Sequence, residues 1–299
     1  MKVLLVEDNP IDAKKAQDML AKTGGGQIAV THVERLSTAL RRLARESFDA
    51  IMVDLTLVDT HRLDTLSLIQ AALARMPIVV LSDRPDENLE RQTIQHGAQD
   101  FLVKSQWSGD QLARALRHAV ERKRAEQNLA YLAQYDPLTT LANRALFQDR
   151  MNRALAMSKR KKQEVGIVML GLDHFKEVNQ TLGREKGDAL LKMTADRLRQ
   201  CMREVDTVAR LGGDEFTILL EGINCKADME IVAKRVLGLF AKPFELDVRL
   251  VTVTASLGVT VYPLDPHEID ELLAHAEQAM DQAKEQGGNT YRFYEPAGA

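Results

Sequence analysis

The chain has 299 residues and a formal net charge of −3, and 45% of its residues are hydrophobic while 5% are aromatic. This length suits two domains of ordinary size, and the charge argues against a general nucleic-acid binder. The N-terminal apolar run is too short and too soon charged for a signal peptide, and no stretch of sequence is long enough to span a bilayer. Two cysteines, Cys201 and Cys225, indicate no disulfide framework, so we expect a cytoplasmic protein.

The first hundred residues alternate short apolar runs with amphipathic stretches. This alternation predicts an α/β fold, a doubly wound parallel sheet covered by helices. The five predicted strands are Val3–Val6, Val30–Val33, Ala50–Val53, Ile78–Leu81 and Asp100–Val103. In such sheets ligands bind at the carboxyl ends of the strands, so the residues that follow the strands are candidates for a site. These residues are Glu7, Asp8, Asp54, Ser82 and Lys104.

The five candidates combine three carboxylates with a hydroxyl and an ammonium. Carboxylates held close together repel one another unless a divalent cation neutralises them, and such an oxygen-rich pocket suits Mg²⁺. This set of residues at these strand ends resembles the receiver domain of bacterial response regulators. The resemblance implies that Glu7 and Asp8 hold Mg²⁺, and that Asp54 accepts a phosphoryl group whose donor is a sensor histidine kinase.

The receiver resemblance extends to three more roles. It implies that Lys104 offsets the phosphoryl charge, that Ser82 bonds the phosphate, and that Phe101 rotates as the state changes. Two loop positions depart from the receiver family, because Ser105 and Val58 stand where prolines are common. Neither departure touches the five chemical groups. We therefore expect the domain to act as a switch that responds to one local change of charge.

A long helix is predicted between the two halves of the chain. Residues 108–135 contain no Pro and, after Gly109, no Gly, and their apolar residues form an intermittent stripe among charged ones. The expected domains are a receiver over residues 1–107, a signalling helix over residues 108–134 and a second domain over residues 135–299. A solvated connecting helix and a dimerising helix both fit this pattern.

Residues 211–216 read Leu-Gly-Gly-Asp-Glu-Phe and lie between two apolar runs, which predicts a β-hairpin turn. Gly212 and Gly213 can take the positive φ of a tight turn and let a bulky ligand lie against the backbone. Asp214 and Glu215 would then lie at the edge of a cleft and hold a hard cation together with phosphate oxygens. On its own, this string also fits an ordinary exposed turn.

Further motifs surround the hairpin in a fixed order. They are Asp136–Arg144, Asp173–Asn179, Gly183–Asp188, Ala255–Val259 and Ala283–Asn289. From Tyr135 to Tyr294 the chain thus resembles the GGDEF family, the diguanylate cyclases that join two GTP molecules into cyclic di-GMP. The resemblance implies an α+β domain with a nucleotidyl-cyclase-like mixed sheet and flanking helices. It also favours a homodimer, because a cyclase needs two GTP-loaded domains that face each other.

The GGDEF resemblance also assigns residues to the nucleotide. Asn179 and Asp188 match the positions that read guanine, and Lys284 matches a position that contacts the terminal phosphates. Arg203 and Asp206 have the spacing of the family's inhibitory site, at which an arginine and an aspartate bind cyclic di-GMP. An Arg-x-x-Asp string also fits a salt bridge within a helix, and that alternative stays open.

Departures from the GGDEF family fall at the phosphate end of the nucleotide. Gly171 stands where the family has an aspartate that ligates both cations, and Gly288 stands where it has a phosphate-binding arginine. Three further positions that differ are Arg184, Glu277 and Asp281. We therefore expect a phosphorylation-controlled regulator whose GGDEF domain binds GTP with one Mg²⁺, or cyclic di-GMP, with weak or no cyclase activity. An active cyclase is the alternative, which the intact Asp214 and Glu215 favour.

The C-terminal run Tyr291–Pro296 resembles the sequence with which GGDEF domains lead into an EAL phosphodiesterase domain. We therefore expect a longer natural protein with a C-terminal EAL domain that this chain does not include. A pure adaptor protein is a further possibility, but an adaptor would not need the guanine-reading residues Asn179 and Asp188.

Overall fold

A computed structural model gives the fold of residues 1–23, 27–59, 62–72, 76–223, 225–247, 249–265 and 268–295. The chain forms two compact units, Met1–Ala130 and Tyr131–Ala299. Pro296, the last residue of the run that resembles an EAL-domain leader, lies outside the described residues. None of the helices within these ranges is long and apolar enough to cross a membrane.

The first unit is a five-stranded parallel sheet with helices on both faces, which confirms the predicted fold. Its strands are β1 (Lys2–Val6), β2 (Ala29–Val33), β3 (Ala50–Asp54), β4 (Ile78–Ser82) and β5 (Asp100–Val103), in the sheet order β2-β1-β3-β4-β5. Its helices are α1 (Pro10–Thr23), α2 (Leu36–Leu43), α3 (Arg62–Ala72), α4 (Glu87–Gln95) and α5 (Gly109–Leu132). Every residue of β3 and β4 is buried, which is typical of central strands covered on both faces.

Alternation along β1 supplies both layers of the core in the first unit. Val3 and Leu5 pack with apolar residues of α1 and α5, while Leu4 and Val6 pack with residues of α2 and α3. This is possible because successive side chains of a strand point to opposite faces. The paired strands all run parallel, so their carboxyl ends lie at one edge of the sheet. The candidate residues of the first unit lie at this edge.

Helix α5 continues without a break for 24 residues. Its buried residues, among them Leu112, Leu116 and Val120, all lie in its first half. Leu129 and Leu132, near its end, are apolar but 69% and 50% exposed. The helix therefore begins as part of the core of the first unit and ends with apolar side chains in solvent.

The second unit is a mixed sheet flanked by helices, which confirms the predicted α+β fold. Its strands are β6 (Glu164–Leu172), β7 (Thr207–Gly212), β8 (Glu215–Ile223), β9 (Phe244–Leu246), β10 (Arg249–Val251), β11 (Ala255–Tyr262) and β12 (Tyr291–Phe293). The main sheet has the order β12-β11-β6-β8-β7, and β9 and β10 form a separate antiparallel pair. Strands β11 and β12 pair in parallel, and the other neighbours in the main sheet pair antiparallel. The helices are α6 (Arg144–Lys161), α7 (Phe175–Leu182), α8 (Arg184–Cys201), α9 (Lys226–Gly238) and α10 (Ile269–Glu285).

The central strand β6 positions the candidate site of the second unit. Near its end, Gly171 lies opposite Glu215 on β8 and Ser256 on β11. Residues opposite each other in antiparallel strands share one face of the sheet. Leu170, the preceding residue, lies on the other face, in an apolar core with Phe216. Helix α10 packs on the face of Gly171, because its residues Met280 and Lys284 lie next to this glycine.

Candidate functional sites

Three strands of the first unit bring three charged side chains together. Glu7 follows β1, Asp54 ends β3, and Lys104 follows β5. The Nζ atom of Lys104 lies 2.8 Å from Oε2 of Glu7 and 2.7 Å from Oδ2 of Asp54. All three side chains are buried. Because unpaired charges are costly in such surroundings, the ion pairs hold the three groups in one arrangement.

Two further carboxylates lie near the same ammonium. Oδ2 of Asp12 and Oδ1 of Asp83 lie 3.4 Å and 3.3 Å from Nζ of Lys104. The sequence interpretation did not include either acid. Asp83 directly follows Ser82 at the end of β4, so the rule that sites lie at strand ends could have identified it. Asp12 is in the first turn of α1, and no sequence pattern indicates that it lies near Lys104.

The cluster of the first unit fits the predicted Mg²⁺. Burial raises the pKa of Glu7 to about 7, with the bond from Lys104 opposing the rise and the charge of Asp54 adding to it. Oxygen atoms of Glu7, Asp8 and Asp54 lie within 4.8 Å of one another, a spacing that one ion can bridge. Carboxylate oxygens are the preferred ligands of Mg²⁺, so these three residues would hold it.

Two predicted residues of the first unit remain, Ser82 at the end of β4 and Phe101 on β5. Ser82 donates its hydroxyl to the carbonyl oxygen of Arg84 at 3.0 Å, and Phe101 is buried in the core. Thr56, which the sequence interpretation missed, donates to Asp54 through its backbone N–H at 3.0 Å and its hydroxyl at 2.8 Å. An aspartate often accepts a hydrogen bond from the residue two positions on, so this contact had a local signal. It fixes the orientation of the Asp54 carboxylate.

In the second unit, β7 and β8 form the predicted hairpin, with Gly213 and Asp214 between the paired Gly212 and Glu215. The φ angles of Gly212 and Gly213 are +155° and +52°, values that glycine adopts without the strain of a side chain. Among the described residues, none lies within 4 Å of the place that a Cβ atom would take at either glycine. The backbone of this turn is therefore open to a ligand.

Arg210 ties the hairpin to the start of the second unit. Its guanidinium donates to the carbonyl oxygen of Gly213 at 2.6 Å and to Oδ1 of Asp136 at 2.9 Å. Burial alone would raise the pKa of Asp136, but hydrogen bonds from Thr139 and Arg210 outweigh it and leave this pKa below its usual value. The sequence interpretation missed Arg210, because an arginine just before a Gly-Gly turn indicates no partner by itself.

A cavity of about 680 Å³ lies beside the hairpin, within the range of small-molecule sites. The lining residues are Leu172, Asp173, His174, Phe175, Lys176, Asn179, Asp214, Lys284, Gly287 and Gly288. The first turn of α7 is part of this lining, and free backbone N–H groups at a helix start favour an anion. The predicted residues Asn179, Asp214 and Lys284 therefore border one space large enough for a nucleotide.

The predicted guanine-reading residues lie on adjacent helices, with Asn179 on α7 and Asp188 on α8. Gly187, just before Asp188, lies so close to Asn179 that a Cβ atom at Gly187 would be 1.9 Å from Oδ1 of the amide. A glycine at this position therefore allows the two helices to approach. Asn179 lines the cavity, and Asp188 is exposed on the neighbouring helix.

The side chain of Lys284, which lines the cavity, fills the space above Gly171. A Cβ atom at Gly171 would lie 2.7 Å from Nζ and 2.9 Å from Cε of Lys284. Asp173, two residues further on, is engaged elsewhere, because its carboxylate accepts hydrogen bonds from Thr254 at 2.6 Å and Ser256 at 2.7 Å. The ammonium of Lys284 thus lies where the GGDEF resemblance implies a carboxylate.

The second unit lacks one carboxylate of the metal site that the GGDEF resemblance implies, because Gly171 has no side chain. Within the described ranges, no three His, Cys, Asp or Glu side chains of this unit bring ligand atoms together as those of the first unit do. Burial raises the pKa of Glu215, and the charges of Glu277, Asp214 and Asp281 add to the rise while Lys284 opposes it. Acidic side chains are thus present near Glu215, but among the described residues no three of them bring their oxygen atoms as close together as in the first unit.

Arg203 and Asp206 lie in the turn between α8 and β7. Oδ2 of Asp206 accepts a hydrogen bond from the backbone N–H of Arg203 at 3.0 Å. The alternative of a salt bridge within a helix is wrong, because α8 ends at Cys201. Two cavities of about 240 and 230 Å³ are both lined by this residue pair. The geometry leaves the Arg203 side chain exposed beside space for a ligand.

Comparison with known protein families identifies both units. The family described as "Diguanylate cyclase, GGDEF domain" matches residues 133–290, more than half of the chain. The chain belongs to the GGDEF family. A second family, "Response regulator receiver domain", matches residues 3–117. The protein is therefore a receiver domain followed by a GGDEF domain, the architecture predicted from its motifs.

Curated relatives and solved structures agree with the family. MucR of Pseudomonas aeruginosa, a bifunctional diguanylate cyclase/cyclic di-GMP phosphodiesterase, is 38% identical over 177 residues, which are 59% of this chain and 26% of that protein. The diguanylate cyclase TpbB of the same organism is 37% identical over 169 residues, 56% of this chain and 39% of that protein. A structure of the TpbB GGDEF domain is 36% identical with a TM-score of 0.53, and the match covers 54% of this chain and 94% of that one. The chain thus spans well under half of the length of these curated relatives.

Proposed function

We propose that this protein is a phosphorylation-controlled response regulator of cyclic di-GMP signalling whose GGDEF domain binds GTP or cyclic di-GMP with weak or no cyclase activity. The observation that carries the proposal is the ammonium of Lys284 in the space above Gly171. Asn179 lines the cavity, and Asp188 lies on the adjacent helix α8. A domain that keeps its base-reading residues but lacks a metal ligand should bind the nucleotide better than it reacts with it.

Phosphorylation of Asp54 would provide the control. A carboxylate oxygen of Asp54 attacks the phosphorus of a phosphohistidine on a sensor kinase, so that a P–O bond forms as the P–N bond breaks. The ammonium of Lys104 then pairs with the phosphoryl oxygens, and the hydroxyl of Ser82 turns from its own loop to bond one of them. Mg²⁺ held by Glu7 and Asp8 would supply further positive charge.

A homodimer formed through the end of α5 would link the phosphorylation state of the receiver to the arrangement of the two GGDEF domains. Leu129 and Leu132 are exposed there and would be covered by the same residues of a second copy. One GGDEF domain holds one GTP, whereas cyclic di-GMP contains two guanosine units. A change in the dimer on phosphorylation would therefore alter whether two nucleotide cavities face each other.

The size of the expected catalytic loss can be estimated. Removal of one charged partner from a cluster around a bound charge costs about 2–5 kcal/mol. If that loss falls entirely in the transition state, turnover decreases by about 30-fold to several thousand-fold. Binding of the guanine base would be spared, because Asn179 is on α7 whereas Gly171 is on β6.

An active diguanylate cyclase is the second candidate. The Gly-Gly-Asp-Glu hairpin is intact, its backbone is open, and Asp214 lines the cavity. The relative TpbB is named a diguanylate cyclase, which also supports this alternative. The two candidates differ in turnover and not in nucleotide binding, so binding and synthesis need separate measurements.

Nucleotide binding is tested by calorimetry with the α,β-methylene analogue of GTP, which cannot release pyrophosphate, in the presence of Mg²⁺. We expect Asn179→Ala to weaken binding at least about tenfold, since a buried ligand edge loses its amide partner. Gln180→Ala removes an exposed amide from the same helix and is the matched control. Absence of binding by the unmodified protein, or equal binding by both variants, would refute the proposed nucleotide site.

A further inference from the structure

The side chain of Lys284 has an unusual position within the nucleotide cavity. It extends from α10 to the β6 strand, where its Nζ would be 2.7 Å from a Cβ atom at Gly171. The sulfur of Met280, one turn earlier on α10, would be 3.1 Å from the same point. A side chain at 171 would therefore compete with the ammonium for space. The glycine allows the lysine to reach the floor of the cavity.

Lys284 and the three acids Asp214, Glu277 and Asp281 all lie close enough to Glu215 to interact with its charge. Asp214 and Glu215 are in the hairpin, and Glu277 and Asp281 precede Lys284 on α10. Despite these four carboxylates, the described part of this unit contains no group of three with the spacing of a metal site. Lys284 supplies an ammonium attached to the protein in this part of the domain.

The neighbouring backbone leaves room for phosphate groups to approach. Gly287 and Gly288 line the cavity just after α10, and Gly212 and Gly213 directly precede Asp214, which also lines it. Among the described residues, none lies within 4 Å of a Cβ position at Gly212, Gly213 or Gly287. A lysine ammonium is a compact charge on a flexible stem, with three donors that can follow a phosphate oxygen.

We propose that the GGDEF domain of this protein binds guanine nucleotides without a divalent cation, and that the Lys284 ammonium supplies the positive charge for their phosphate oxygens. The inference rests on the proposed function for nucleotide binding itself. The sequence predicts a complex of GTP with one Mg²⁺. In the complex proposed here, the positive charge beside the phosphates comes from Lys284 and not from a metal ion. Mg²⁺ then acts in the receiver domain, where Glu7, Asp8 and Asp54 do converge.

The test is calorimetry of the full chain with the α,β-methylene analogue of GTP, once in excess MgCl₂ and once in excess EDTA. We expect the two dissociation constants to differ by less than about threefold. Lys284→Met should weaken binding about tenfold or more in both solutions, since a charge-assisted hydrogen bond is lost. Lys192→Met removes an exposed lysine from α8 and should leave binding unchanged.

A second variant keeps the test independent of the stability of Lys284→Met. Gly171→Asp introduces a carboxylate beside the ammonium and should make binding depend on Mg²⁺, with affinity at least about tenfold lower in EDTA. Both proteins contain the same receiver domain, so any effect of Mg²⁺ there is common to both. Equal cation independence of Gly171→Asp and the unmodified protein would contradict a role for the missing side chain.

The outcomes separate this inference from the proposed function. Binding by the unmodified protein in MgCl₂ that disappears in EDTA would overturn the inference and leave the proposed function intact. Absence of binding in both solutions would overturn both. Binding in EDTA that is unaffected by Lys284→Met would also refute the inference, because the counter-charge would then come from another residue.

Discussion

The receiver pocket and the cavity of the GGDEF domain contain the same kinds of side chain in different arrangements. In the receiver, Lys104 pairs with Glu7 and Asp54, and the carboxylates still converge closely enough for one cation. In the GGDEF domain, Lys284 lies over Gly171, and the surrounding carboxylates do not converge. In the receiver, the ends of β1 and β3 supply the carboxylates that the lysine contacts. In the GGDEF domain, Gly171 supplies no side chain, and the lysine occupies the space above it.

Burial also distinguishes the two sites. The three charged groups of the receiver are almost completely buried, so their geometry is set by the ion pairs themselves. Asp214, Glu215 and Lys284 are only partly buried, and water screens part of their interaction. We therefore expect substitutions in the receiver pocket to abolish function and substitutions in the nucleotide cavity to change it by finite factors.

The largest expected effect is in the receiver. Asp54→Asn should abolish phosphorylation by acetyl phosphate or a kinase, because the amide lacks the nucleophilic oxygen that Lys104 and Thr56 orient. Intact-mass measurement before and after incubation checks this expectation. Asp83→Asn, which changes an exposed neighbour of Lys104, should still gain one phosphoryl group. A phosphoryl mass gain in Asp54→Asn would place the phosphoacceptor elsewhere.

The next largest effect concerns the missing carboxylate. Gly171→Asp should increase cyclic di-GMP synthesis by about 30-fold or more, because it restores a charge worth about 2–5 kcal/mol. Product is measured by chromatography, with Gly238→Asp, in open space at the end of α9, as the control. Arginine at Gly288 is left out, because its φ is +72° and a Cβ there would be 2.9 Å from Oδ2 of Asp173. No gain in a variant that still binds the GTP analogue would show that more than this carboxylate is lacking.

A smaller effect is expected at the turn between α8 and β7. Arg203→Ala should weaken binding of cyclic di-GMP about tenfold or more, since an exposed guanidinium beside two cavities would lose its contacts to the guanine edge. Calorimetry measures this affinity, and Arg249→Ala, an exposed arginine on β10, is the control. Unchanged affinity in Arg203→Ala would leave this pair as a structural turn alone.

The smallest effect concerns the tie between Asp136 and Arg210. Asp136→Asn should reduce the free energy of unfolding of the GGDEF domain by about 1–3 kcal/mol at neutral pH. The folded pKa of Asp136 is below its usual value, so this stabilisation is complete above the unfolded pKa and is lost as the pH falls below about 4. Urea unfolding can be followed by tyrosine fluorescence, because the five tyrosines all lie in residues 131–294. A difference between the proteins that does not decrease as the pH is lowered from about 5 to about 3 would contradict the assignment.

Local patterns were sufficient to predict most of the receiver. Short apolar runs of strand length predicted five strands within a residue or two of those observed, because a strand covered on both faces must be apolar throughout. The parallel arrangement then placed Glu7, Asp54 and Lys104 at one edge. In the GGDEF domain, the hairpin followed from Gly212 and Gly213, and the family resemblance supplied the mixed sheet.

Contacts between distant segments could not be predicted in this way. The approach of Lys284 to Gly171 depends on how α10 packs over β6. No sequence pattern around either residue predicts this contact. The same is true of Arg210 and Asp136, and of Asp12 beside Lys104. In each case the sequence gives the residue type, while the packing of helices on the sheet determines which opposite charge it meets.

The central claim is that the GGDEF domain binds GTP but converts it slowly or not at all. The direct test is the rate of cyclic di-GMP formation by the unmodified protein with GTP and Mg²⁺, with and without acetyl phosphate. We predict little or no product in both conditions, while the α,β-methylene analogue binds and Gly171→Asp gains activity. Rapid synthesis by the unmodified protein in either condition would contradict the account and establish the active cyclase instead.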